Sequence, residues 1–450
     1  MAVWSEVDLL ELSPTMRLDA EYYQPAFLDN MLFLQQHCPF PVEQFGEALL
    51  SISGGATPLG AEYPEEGVPF LRVQNIMPGY LSLDDVVYIS PEIHLTQLKR
   101  SQLQPGDVLL TITGVSYGKA AFVPPNLGPA NINQHSVRME FKKYLRPEYV
   151  AMFLNSRFGK LQSDMKITGV TRPALDYGEI NTFLIPILPD ELQLEVVKLC
   201  EESQYQRLRS LELYAEAESL LLDALGLNDL DIEQVITYER NFREVAHADR
   251  FDAAYFSPRA QRALEIMGRS GKTLGDVAPL VKRQFKPQNG EEFRYIEIGD
   301  LSGDGRAESS LLRGEEAPSR AQWVVRPRDV VTSTVRPIRR LSALIEPEQD
   351  NFVCSSGFAV LQPWDVEPEL LLVYLRAPII CEILDLHTTA TMYPAIATDV
   401  LLNIPFSAPR ADITAQIVNK VRASRHAHYE TQSLLESAKR RVEELIEGNI

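Results

Sequence analysis

Arg72, Gln74 and Asn75 alternate with the apolar Leu71 and Val73, and a second polar run, Asn131, Asn133, Gln134 and His135, is rich in side-chain amides. A planar amide sets a donor beside an acceptor, the pattern that matches an adenine edge, while arginine and lysine match guanine. Other polar groups suited to bases or phosphates follow short apolar runs. Thr113, Ser116, Tyr117 and Lys119 lie beyond Leu109–Ile112, and Lys166, Thr168, Thr171 and Arg172 make a polar, basic loop. Thr57 follows Gly54-Gly55, where a bare backbone suits close approach to a phosphate. In the second half Lys282, Arg283 and Lys286 form one basic cluster, Arg336, Arg339 and Arg340 another, and Thr391 and Tyr393 stand further on. The plain alternative for any one of them is a solvated loop or turn.

Enzymatic chemistry finds less support. Gly114–Ala120 (GVSYGKA) resembles a phosphate-binding loop but has three residues, not four, before Gly-Lys, and then Ala120 where a magnesium-binding hydroxyl is needed. No Asn-Pro-Pro-aromatic tetrad is present, and Glu140-Phe141-Lys142 is too short a pattern to mark a nuclease. Cys38, Cys200, Cys354 and Cys381 are scattered, as expected of small buried apolar groups in a reducing compartment rather than of metal ligands. His426 and His428, two positions apart on a helix, do not share a face.

The elements that must position these residues come in two copies. RLDAEYYQP (Arg17–Pro25) answers to RFDAAYFSP (Arg250–Pro258), PFLRVQNI (Pro69–Ile76) to RYIEIGDL (Arg294–Leu301), and GDVLLTITG (Gly106–Gly114) to RDVVTSTVR (Arg328–Arg336). ANINQHSVRM (Ala130–Met139) pairs less closely with VCSSGFAVLQ (Val353–Gln362). PEYVAMFLNS pairs with PELLLVYLRA, GVTRPAL (Gly169–Leu175) with ATMYPAI (Ala390–Ile396), and LIPILP with LNIPFSAP. The order is colinear, which marks a duplicated domain. Thr391 and Tyr393 thereby match Val170 and Arg172. Each copy reads as β-rich, with short strands such as LLTIT and VVTST and a helix opened by Pro147 or Pro368.

Each copy ends in a long helical pattern. Asp190–Leu225 has neither Gly nor Pro and stops at Gly226. Its apolar stripe, Leu192, Val196, Leu199, then Leu213, Ala217, Leu220 and Ala224, has a polar centre of Ser203, Gln206 and Ser210. A matching stretch, about Asp412–Glu447, has Ser424, His428 and Thr431 at its centre. Equal lengths and matching centres predict that the two pack together as a coiled coil, each of about 34 residues and roughly 50 Å. The fold class is therefore α+β: two β-rich domains, each followed by a long helix.

Lys and Arg number 43 against 62 Asp and Glu, a net charge of −19, where a nucleic-acid binder usually carries a basic footprint. Three readings stand: the cations gather on one face, a basic partner supplies phosphate affinity, or the chain does not hold nucleic acid. No apolar run approaches a membrane span and the acidic start lacks a signal peptide's basic region, so a cytoplasmic location without membrane contact is expected.

With R-x-D-A-x-Y-Y-x-P, GGATP ahead of PFLRVQNI, GDVLLTITG followed by GKAAFV, and LIPILPDELQ, nearly the whole chain resembles the specificity subunits of Type I restriction–modification systems. The resemblance implies a first target-recognition domain at 1–189, a spacer helix at 190–226, a second domain at 227–409 and a second spacer helix at 410–450, the two helices pairing as an antiparallel coiled coil. It implies a non-catalytic subunit whose domains each read half of a split, asymmetric site in double-stranded DNA. Expected partners are adenine methyltransferase subunits, which carry S-adenosylmethionine, and an ATP-dependent motor-nuclease subunit; no cofactor is expected on this chain. The second half departs from the pattern. Pro279–Pro287 (PLVKRQFKP) replaces GG-x-TP, and Arg336-Pro337-Ile338-Arg339-Arg340 replaces Gly-x3-Gly-Lys. The acidic surplus favours an alternative, a related scaffold or regulatory protein of antiviral defence that does not read sequence.

Overall fold

The computed structural model of the chain describes residues 5–6, 17–58, 60, 63–169, 173–228, 230, 237–248, 250–389 and 392–449. It forms two compact units, Met1–Arg207 with His428–Ile450, and Leu208–Ala427. Among the described residues no helix is long and apolar enough to cross a membrane.

In the first unit the main strands are β1 (Val42–Gln44), β2 (Leu49–Gly54), β3 (Val68–Leu71), β4 (Val87–Ile89), β5 (Val108–Thr111), β6 (Ala120–Phe122), β7 (Asn131–Ile132), β8 (Ser136–Phe141) and β9 (Leu184–Pro186), with a two-residue hairpin pair, Ile76–Met77 and Tyr80–Leu81, beside them. A central antiparallel sheet has the order β2-β8-β5-β6, and a second sheet the order β4-β3-β7 with β3 and β7 parallel. All four residues of β5 are buried because alternate side chains serve different layers. Val108 and Leu110 enter the core with helix α2 (Pro147–Asn155), while Leu109 packs with Leu71 and Ile132 of the second sheet. Helices α1 (Pro25–Leu32) and α3 (Arg157–Lys166) flank this core, and α4 (Asp190–Leu225) leaves it.

The second unit repeats the plan with α5 (Pro258–Met267), β10 (Lys272–Thr273), β11 (Glu292–Ile296), β12 (Ser310–Arg313), β13 (Ala321–Val324), β14 (Val330–Ser333), β15 (Ser342–Leu344), β16 (Val353–Ser355), β17 (Phe358–Leu361), α6 (Pro368–Arg376), α7 (Pro378–Leu386), β18 (Pro405–Phe406) and α8 (Ala411–Ile446). Its central sheet is β15-β14-β17 and its second sheet β12-β11-β16-β13, with β11 and β16 parallel. The strand equivalent to β2 shrinks to one bridge, Leu280 to Leu361. This is the segment where the sequence has PLVKRQFKP.

One repeat alignment needs correction. Phe70 pairs with Asn131, and its counterpart Tyr295 pairs with Val353. Asn131 therefore corresponds to Val353, one residue from the alignment that set Ala130 against Val353.

The R-x-D-A-x-Y motif is a clasp. Arg17 pairs with Asp19, lies 4.6 Å over the Tyr22 ring and donates to the carbonyls of Lys166 and Ile167. Arg250 pairs with Asp252, lies 4.2 Å over Tyr255 and donates to Leu386. Each cation thus covers the unsatisfied carbonyls at the C-terminus of α3 or α7.

The two long helices run antiparallel within each unit. In the first, Ser203 and Thr431 exchange hydroxyl-to-carbonyl bonds, and Arg441 reaches Glu195 at 2.9 Å. In the second, Ser210 and Ser424 do the same at 2.8 and 2.7 Å, and Lys420 pairs with Glu216. At Ser203, Ser210, Ser424 and Thr431 the polar stripe centre is thus buried and satisfied by the opposite backbone, while Gln206 donates along its own helix to Glu202 and His428 is half-buried. Over its stretch in the second unit α4 buries Tyr214, Ala217, Leu221 and Leu225, while Ala224 is exposed. The stripe expected through Leu213, Leu220 and Ala224 is displaced by one position, because the Tyr214 ring turns inward to meet Arg376.

Candidate nucleic-acid interface

The polar loops of the first unit gather at one end of the central sheet. Strand β2 ends at Gly54 beside Val137, β8 begins at Ser136 opposite Thr111, and β6 begins at Ala120 beside Leu110. Thr57, Asn133–His135 and Thr113–Lys119 therefore emerge together. The Thr57 hydroxyl donates to Gln134, whose amide meets the His135 ring at 3.2 Å. The loop after α3 joins them. Thr113 and Thr168 both bridge to Ala174, and the Gly114 N–H donates to the Pro173 carbonyl at 3.0 Å. Arg72 and Gln74 follow β3 at the adjoining strand end, both held by Asp85.

The same frame recurs in the second unit. Val335 and Thr389 bridge to Ala395, Arg336 N–H donates to Pro394 at 2.8 Å, and Ile396 N–H donates to Thr334 at 2.9 Å, as Leu175 does to Ile112. Thr334 N–H donates to Gly357 as Ile112 does to His135. Backbone hydrogen bonds are thus kept between units in which side chains differ. On this frame Arg336, Ile338 and Arg339 are exposed, with Met392 and Tyr393 beside them. Lys282 and Lys286 are exposed too, on a separate segment bonded to the β13 edge through Arg283 and Phe285.

Several candidates lie inside rather than at the surface. Asn75 is fully buried; its oxygen accepts from the Arg72 N–H, and its amide donates to the carbonyls of Ser82 and Asp84. Asn131 is likewise buried, against Leu98, Ser101 and His94. Both amides brace loops. Lys166 ends α3 and is buried on Thr182 and Glu179; burial lowers its pKa, against the opposing pull of Glu179. Asn133 is buried and caps the His135 N–H. Two of the second-half arginines face carboxylates: Arg283 pairs with Asp329 at 2.6 Å and Arg340 with Glu218. Thr171, Arg172 and Thr391 lie outside the described residues.

The open approach expected at Gly54-Gly55 is also corrected, since the protein itself fills that space. A Cβ on Gly54 would sit 1.6 Å from the Tyr177 hydroxyl, and one on Gly55 2.0 Å from the Asn133 carbonyl oxygen. Ser116 accepts from Thr111 through its carbonyl, and Lys119 N–H donates to the same hydroxyl. Tyr117 donates to Asp164 at 2.8 Å, with the Lys160 ammonium 4.0 Å from its ring. Burial and the Asp164 bond push its pKa up to about 12.

Two positioning residues escape a motif search. Asn155 ends α2, accepts from the Ala120 N–H at 3.0 Å and donates to the Ala120 carbonyl at 2.7 Å. Arg376, at the matching place on α6, is buried and donates to the carbonyls of Arg340 (2.7 Å), Ser342 (3.3 Å) and Gly303, and to the Tyr214 hydroxyl (2.9 Å). Each fixes the return of its candidate loop into the sheet. The sequence signal was a polar residue closing the same apolar helix in both copies.

Over 151 residues the chain is 21% identical to the Type I restriction enzyme HindI specificity subunit of Haemophilus influenzae. The chain resembles Type I specificity subunits. The alignment covers 33% of this chain and 33% of the relative, so the chain spans about a third of the length of the curated relative it matches. No protein-family model matches. Among solved structures, the HsdS subunit from Thermoanaerobacter tengcongensis aligns over 91% of this chain and 97% of its own at 19% identity and a TM-score of 0.32. A Type I S subunit from M. genitalium aligns over 92% and 96% at 10% identity and a TM-score of 0.40.

Proposed function

We propose that this chain is the DNA-specificity subunit of a Type I restriction–modification complex, with the recognition domains at 1–189 and 227–409 and the spacer helices at 190–226 and 410–450. It does no chemistry itself. Each domain reads half of a split, asymmetric site, and the chain directs adenine methyltransferase subunits, and a motor-nuclease subunit where one is present, to that site. The observation that carries this reading is the repeated backbone frame bearing unlike side chains: exposed Thr57 and Gln134 with half-buried Ser116 and Lys119 on one copy, exposed Arg336, Arg339 and Tyr393 on the other. Two readers of different half-sites need that combination, with phosphate contacts setting register and base-edge contacts setting sequence. Joining them in one chain turns two weak recognitions into one strong one through effective concentration. A net charge of −19 disfavours long-range attraction to DNA and supports phosphate affinity supplied by partner subunits.

The same charge favours a second reading, a scaffold that does not select sequence. Mapping of N6-methyladenine in the native host, with and without this gene, separates them. A split motif whose methylation disappears with the gene is the expected result. Identical methylation in both strains while the protein is expressed would refute the specificity role and leave the scaffold.

A further inference from the structure

The recognition turns of the two units share backbone geometry but not residue type. Gly114 (φ +82°) corresponds to Arg336 (φ +50°), and Gly118 (φ +79°) to Arg340 (φ +61°). Glycine takes the left-handed region freely, whereas an arginine there is strained. A strained residue that glycine would replace without strain is retained for its side chain. For Arg340 the reason lies within the fold, since its guanidinium pairs with Glu218 and donates to the Arg376 carbonyl at 2.5 Å.

Arg336 has no comparable internal role. Among the described residues no carboxylate pairs with it. Its guanidinium lies 5.4 Å from the centre of the Tyr393 ring and donates one bond, at 3.3 Å, to the Met392 carbonyl. Most of its donor fork therefore faces outward, steadied by an aromatic face. Ile338, Met392 and Tyr393 around it are 49%, 76% and 66% exposed. Apolar surroundings suit the edge of a base pair, where apolar groups also meet thymine methyls, better than a hydrated phosphate. Preorganised arginine forks bind the O6 and N7 of guanine in bidentate fashion.

We infer that Arg336 is a specificity-determining residue that reads a guanine in the half-site assigned to the second unit. The inference rests on the proposed specificity role. It is tested by methylome mapping in host strains carrying the wild-type gene, R336G or R336K. R336G installs the residue that the first unit uses at this backbone position, so the melting temperature is expected to hold or rise. The expected result is an unchanged gap and an unchanged first half-site, while one G·C position in the other half-site becomes degenerate. Discrimination there should fall by about 10- to 100-fold, the range of one bidentate pair. R336K, which keeps the charge but not the fork, should degrade the same position. A wild-type motif that survives R336G intact overturns the inference alone, as does an evenly weakened methylation with the motif unaltered, which marks a phosphate contact. Absence of any motif dependent on the wild-type gene overturns the specificity role and the inference together.

Discussion

Replacing Arg376 by methionine isolates the device that holds the second unit's candidate loop. The side chain is 2% exposed and bonds the carbonyls of Arg340, Ser342 and Gly303 and the hydroxyl of Tyr214. Methionine fills similar volume but donates nothing. Each buried acceptor left without a partner costs about 1–3 kcal/mol, and three of these bonds are well formed. Against that stands relief from burying a cation, which costs several kcal/mol in its own right. The expected net loss is about 3 kcal/mol, concentrated where Arg340 re-enters the sheet. Hydrogen exchange at the amides of Arg339 and Arg340, which close the turn onto Arg336 and Pro337, should then accelerate by roughly a hundredfold. Amides of β5 in the first unit should be unaffected. Unchanged exchange in the 334–342 segment, with a stability loss below about 1 kcal/mol, would refute the claim that Arg376 fixes this loop.

Asn155→Ala should loosen the first unit's loop in the same manner, by about 2 kcal/mol for two lost backbone bonds, read as faster exchange at Lys119 and Ala120. Gly55→Ala drives a Cβ into the Asn133 carbonyl; the neighbouring backbone must move, and thermal unfolding of the first unit should fall while the second holds. Asp19 is held below the usual carboxylate range by its hydrogen bond from Arg17. Its stabilising contribution is therefore present above about pH 4, the ordinary aspartate value, and is lost as pH falls through the folded-state pKa. Arg17→Met should accordingly cost more stability at pH 6 than at pH 3 in parallel thermal melts, and an equal cost at both would contradict the ion-pair account.

The repeat, the strand cores and both long helices were legible because their signals are local: periodic apolar residues, a proline opening each short helix, and Gly226 ending α4. The candidate loops were legible as a set for the same reason, since polar residues beyond an apolar strand must lie at a strand end. Which of them face outward was not. Asn75 and Gln74 are neighbours of similar chemistry, yet Asn75 is fully buried among carbonyls and Gln74 is exposed. That difference depends on the path of residues 82–85, which no pattern around Asn75 encodes. Gly54 and Gly55 misled for a related reason. Their missing side chains make room for Tyr177 and Asn133, residues far along the chain.

The division between kept and changed features gives the repeat its meaning. Copies diverging without constraint would lose backbone bonds and side chains together. Here the bonds through Ala174 and Ala395, Pro173 and Pro394, and Leu175 and Ile396 persist. An aspartate also accepts from the turn backbone in both copies, Asp107 from Gln104 and Asp329 from Arg326. The arginine that covers that aspartate comes from β8 in one copy, as Arg138, and from the segment before β11 in the other, as Arg283. Even the half-buried cation on this aspartate is thus supplied by different segments so long as the turn is held. Conservation is concentrated in what positions the loops, and variation in what the loops present. A protein acting only as a scaffold has no need of a strained, outward-facing Arg336 where the other copy has Gly114, whereas the proposed reader of a second, different sequence does.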